Sequence, residues 1–138
     1  GADATIHGLK TDVKQAVMDL TDGKGLDVIF VAAAVPSLLS TALDCVAKGG
    51  TVLSFAIFSE ETTVSVLANR IGIDEVSLIG SYSSTPFEYP AVLELINNKA
   101  IDVDAMITHR FPLEKMSEAI QTATDPTAQC MKVMITAT

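Results

Sequence analysis

Cysteine and histidine are scarce in this chain, with two of each among 138 residues. Cys45 and Cys130 lie far apart, and neither sits in a Cys-x-x-Cys or Cys/His ligand spacing. A structural metal site is therefore not expected. Cys45, flanked by Leu43 and Val46, reads as a buried small apolar group. With no secretory pattern at the start, a disulfide is not expected, and a reducing cytoplasm is the expected compartment. Positive charge is also short, at nine Lys/Arg against seventeen Asp/Glu and a formal net charge of −8. Nucleic-acid binding needs Lys/Arg clusters to neutralise phosphates, so that class is excluded. No basic amphipathic stripe suggests a membrane surface. No apolar run approaches the roughly 20 residues that span a bilayer. What remains is a soluble globular domain, about half apolar and long enough to bury a core.

The periodicity supports an α/β fold. Ala4–Ile6 reads as a short strand, and Thr11 as the cap of a helix with Asp12 in its first turn. Val13, Ala16, Val17 and Leu20 make one apolar stripe, which Gly23 and Gly25 end. Asp27–Ala32 is a continuous apolar run with β-branched residues at its centre, the pattern of a strand buried on both faces. Pro36 suits a first helical turn, with Leu39, Ala42, Leu43 and Val46 as the stripe and Gly49-Gly50 as the stop. Thr51–Phe55 and Val76–Tyr82 read as further strands, while Thr62–Leu67 is open between strand and short helix. Thr85 and Glu88 form a capping box around Pro86, Val92, Leu95 and Ile96 face inward, and Asn97-Asn98 ends that helix. Strands alternating with helices imply a parallel sheet. The remainder changes character: Met106–Phe111 as strand, Leu113–Ala123 as helix, Met131–Thr136 as closing strand.

Several segments, in order, carry a family resemblance. Gly1-Ala2-Asp3-Ala4-Thr5-Ile6 resembles the third strand of the nucleotide-binding domain of medium-chain, zinc-type alcohol and polyol dehydrogenases. Asp27–Ala34 followed by Pro36 is similar to the fourth strand and its loop, and Gly49-Gly50-Thr51-Val52-Leu53 to the next turn and strand. Ile107-Thr108-His109-Arg110-Phe111-Pro112-Leu113-Glu114, with Gly80-Ser81-Tyr82-Ser83, resembles the polyol and threonine dehydrogenase branch.

The resemblance implies a partial Rossmann-like, doubly wound parallel sheet lacking its first two strands, plus a small C-terminal β-α-β tail. Residues 1–100 would be the partial dinucleotide-binding domain, and residues 101–138 a tail that belongs to the catalytic domain in full-length relatives. In the strand order 3-2-1-4-5-6 the chain would supply strands 3, 4, 5 and 6. The expected cofactors of the complete enzyme are NAD or NADP and zinc. Ligands of such sheets lie at the carboxyl ends of strands. The implied cofactor-lining residues are Ala32, Ala33 and Ala34, then Phe55, Ala56 and Ile57, then Ser81 and Ser83. The chain departs from the family at Val31, where Glu is frequent, and at Ala34 and Ala56, where Gly is frequent.

No Gly-x-Gly-x-x-Gly follows a strand and opens a helix, so the usual pyrophosphate site is not in this sequence. No Cys/His/Glu set would hold a catalytic zinc. No residue here is assigned a catalytic or metal role, and neither cofactor is expected on this chain alone. His109 and Arg110 read as a structural strand, His7 has no partner signal, and Lys132 reads as a solvated lysine at a strand start. The expectation is a fragment lining the nicotinamide side of a hydride-transfer site, inactive alone. Its partners would be the N-terminal half of the enzyme and a second copy paired through Val76–Tyr82. The alternative is a self-standing, non-catalytic α/β module for interaction or small-ligand binding.

Overall fold

The computed structural model describes residues 1–137. The chain divides between Ser83 and Ser84 into two compact units. The change of character that the sequence suggests at residue 100 lies inside the second.

The first unit is a three-stranded parallel sheet with helices. Helix α1 (Val13–Leu20) is capped by Asp12, whose carboxylate accepts from the Gln15 amide at 3.1 Å. Thr11, the expected cap, sits in the preceding turn, one residue too early to reach that amide. Of the expected stripe only Val17 is buried, and Leu20 lies 61% exposed. The chain then turns tightly into β1 (Leu26–Val31), which is not buried on both faces as expected: it lies at the edge of the described sheet, with Val31 buried but Val28 54% and Phe30 68% exposed. Thr21 Oγ1 donates to the Val17 carbonyl at 2.8 Å and accepts from the Gly25 amide at 3.0 Å. Gly25 has φ +84, and a Cβ there would stand 2.6 Å from the Cys45 carbonyl oxygen. Only glycine takes that conformation and that approach without strain.

Helix α2 (Pro36–Cys45) starts where Pro36 predicts, its fixed φ suiting a first turn. It ends earlier than the glycine pair suggests. Val46 is already extended, and Gly49-Gly50 lie inside β2 (Val46–Ser54). The pairing of β1 with β2 jumps from Leu26↔Val46 to Val28↔Thr51, so the extra residues of β2 bulge, with Gly49 at φ +72. Residues 62–67 are irregular, followed by the short α3 (Ala68–Gly72). Strand β3 (Ser77–Gly80) is shorter than its expected span of Val76–Tyr82 and pairs parallel to β2. The order β1-β2-β3 reproduces the expected succession of three neighbouring strands. Val31, Leu39, Ala42, Leu43, Val46, Val52 and Val76 form the core, with Val52 fully buried.

Ala4–Ile6 is not a strand. A strand needs a ladder partner, and no described strand lies beside this segment. Its continuation instead closes a turn in which the Lys10 and Thr11 amides both donate to the His7 carbonyl.

The second unit begins with the expected Thr85–Glu88 knot, in which the Glu88 carboxylate accepts from both the amide and the hydroxyl of Thr85. The helix proper, α4 (Tyr89–Asn97), starts later than expected, with Pro90 in its first turn, and stops at the asparagine pair. Val92 and Leu95, expected inward, remain 43% and 44% exposed, and Ile96 is half-buried. The short α5 (Val103–Met106) leads into β4 (Ile107–Pro112). A 3-10 turn at Leu113–Lys115, α6 (Met116–Thr124) and β5 (Lys132–Thr136) follow. β5 pairs parallel to β4, so the tail is the expected β-α-β unit. Thr108 ties its strands, donating to the Lys132 carbonyl at 3.2 Å and accepting from the Met131 amide at 3.0 Å.

Candidate functional site

The strand ends of the first unit finish level. Val31 pairs with Ser54 and Ser54 with Gly80, so the last rungs of β1, β2 and β3 form one row across the sheet. Because all three strands run parallel, this row is their common carboxyl end. The residues just beyond it are Ala32, Phe55 and Ser81.

Backbone bonds hold these tips together. The Val31 carbonyl accepts from the Phe55 amide at 3.1 Å and from the Ala56 amide at 2.9 Å. The Ser81 amide donates to the Ser54 carbonyl at 3.2 Å, and the Val35 amide closes the β1 loop onto the Ala33 carbonyl at 2.8 Å. A row of stapled loops is a stiff floor, which suits a ligand-facing surface better than a free loop.

The exposures follow from the chain's direction at each tip. Ala32, Ala33 and Ala34 are all exposed, and their methyl side chains leave the backbone accessible. Phe55 and Ile57 are 57% and 73% exposed, with Ala56 half-buried between them. Ser81 and Ser83 are exposed, and Ser83 takes φ +59, turning the chain away from β3. The structure thus gathers the expected residues on one edge of one sheet.

Residues set aside in the sequence are bound structurally. The His109 Nδ1 lies 3.0 Å from the Thr108 hydroxyl, and its ring stacks on Phe111 with centroids 6.5 Å apart. Arg110 pairs with Asp104 at 3.0 Å. Cys45 is buried, and that burial, reinforced by Asp44, raises its thiol above the ordinary cysteine range, which opposes nucleophilic use. Among the described residues no group of three His, Cys, Asp or Glu could hold a metal. No described helix is long and apolar enough to cross a membrane.

One polar cluster has no signal in the sequence. Arg70 on α3 donates to the Leu43 carbonyl through Nε and Nη2 at 3.2 and 3.0 Å, and to the Val46 carbonyl at 2.6 Å. Its Nη1 meets Asp74 at 2.7 Å, and Lys48 reaches the other Asp74 oxygen at 3.0 Å. The Gly49 amide donates to the Asp74 carbonyl at 2.8 Å. This cluster caps α2 and fixes the starts of β2 and β3, at the end of the sheet opposite the level tips. It came from residues 24 and 27 positions apart, a separation that periodicity cannot register.

Comparison with known proteins agrees with the sheet. Residues 1–98 match the family model described as zinc-binding dehydrogenase. The D-arabitol-phosphate dehydrogenase of Enterococcus avium is 30% identical over 119 residues, covering 86% of this chain and 34% of that protein. The solved 2R,3R-butanediol dehydrogenase of Bacillus subtilis is 25% identical with a TM-score of 0.83, covering 96% of this chain and 38% of that one. An alcohol dehydrogenase of Escherichia coli, solved with NADH, superposes with a TM-score of 0.86 at 24% identity, covering 99% and 39%. The chain thus spans little more than a third of the length of such relatives. With its parallel Rossmann-like sheet and a match over most of its length, this chain belongs to the medium-chain, zinc-binding dehydrogenase family.

Proposed function

We propose that this chain forms the nicotinamide side of the hydride-transfer site of a zinc-dependent, NAD(P)-linked alcohol or polyol dehydrogenase. The observation that carries the reading is the level row of strand tips. Three loops, Ala32–Ala34, Phe55–Ile57 and Ser81–Ser83, leave one sheet edge side by side and are cross-bonded through the Val31 and Ser54 carbonyls. The alanines leave room for a flat ring to approach the backbone, and Phe55 and Ile57 offer apolar surface beside them. The phosphate-binding turn and the zinc ligands would come from the N-terminal part of a longer enzyme, about two-thirds of its length by comparison with the relatives. Zinc there would polarise an alcohol oxygen, and the dinucleotide would take the hydride.

In that enzyme residues 1–100 would belong with the dinucleotide-binding domain and residues 101–138 with the catalytic domain. The edge strand β3, with Leu78 and Ile79 40% and 49% exposed, would pair with a second copy across Val76–Tyr82. A cytoplasmic setting fits two cysteines that are both free. By itself the chain would bind neither dinucleotide nor zinc and would not turn over substrate.

The test is to produce the chain together with the coding sequence upstream of it, and to assay polyol and alcohol oxidation with NAD and NADP. Ala33→Leu and Ala56→Leu should each raise the KM for dinucleotide about tenfold, while a surface change such as Glu118→Gln leaves it unaltered. Unchanged dinucleotide kinetics in both leucine variants of an active enzyme would overturn the assignment of these tips.

A further inference from the structure

We draw no further inference here: the strongest candidate, the apolar cavity of about 980 Å³ bounded by α1, β1 and α2 and lined by Val13, Val17, Ile29, Phe30 and Leu38, carries nothing because nothing in the structure shows what covers it.

Discussion

Arg70 should be worth more to this fold than its place on a five-residue helix suggests. Its guanidinium makes three donations to two carbonyls, Leu43 in the last turn of α2 and Val46 at the start of β2. Removing it leaves both acceptors short of a partner in a partly buried site. An acceptor orphaned in this way costs about 1–3 kcal/mol. The Arg70 side chain is 20% exposed, so water can partly replace it and the low end applies. Arg70→Met, which keeps the stem, should therefore cost roughly 2 kcal/mol, at about 1 per carbonyl. In a unit of this size that is about 8 °C or more in Tm. Arg70→Lys should lose about half as much, because one ammonium cannot serve two carbonyls and Asp74 together. Urea unfolding followed by circular dichroism measures both variants. An Arg70→Met unfolding free energy within about 0.5 kcal/mol of the parent, or a Lys variant no better than Met, would refute the account. Arg70→Met and Asp74→Ala should also fall short of additive, since each dismantles the same cluster.

Asp74 is held below the usual carboxylate range, first by its bond to Arg70 and then by Lys48. A depressed folded pKa contributes stability that is present above the unfolded value near 3.9 and is lost as pH falls through the folded value. Asp74→Asn should therefore flatten the acid limb of the stability profile below about pH 4; an unaltered limb in pH-dependent urea melts would contradict this. Gly25→Ala should destabilise by about 2 kcal/mol or more, because it adds a left-handed alanine and drives a methyl against the Cys45 carbonyl. Gly23→Ala, equally left-handed but in open space, should cost less, and equal melting temperatures for the two would count against the contact. Cys45, buried and with its thiol raised, should react with iodoacetamide far more slowly at pH 8 than half-buried Cys130. Mass spectrometry of partially alkylated protein resolves the two, and preferential labelling of Cys45 would show that its burial is wrongly described.

The sequence by itself determined most of the local elements and their alternation, while the order of the sheet came with the family resemblance. Burial of Asp27–Ala32 on both faces did not follow, since β1 lies at the edge of the described sheet with Val28 and Phe30 exposed, but the strand there, the helix start at Pro36 and the alternation of strands and helices did. Those are properties of neighbouring residues, so periodicity and turn chemistry report them. The resemblance implied which residues stand at the strand ends, but that the three ends are level was decided by the pairings Val31↔Ser54 and Ser54↔Gly80. What only the tertiary structure decided are matters of distant partners. Ala4–Ile6 has strand-forming residues but no ladder partner, so it stays irregular. Gly49-Gly50 looked like a helix stop, yet α2 ends at Cys45 and the pair lies in a bulge of β2. Gly25 had to be glycine because the Cys45 carbonyl passes close by, and Arg70 found its acceptors more than twenty residues back along the chain. Each of these is set by a contact between segments that the sequence holds apart, and the free energy of such a contact exists only once the fold has brought them together.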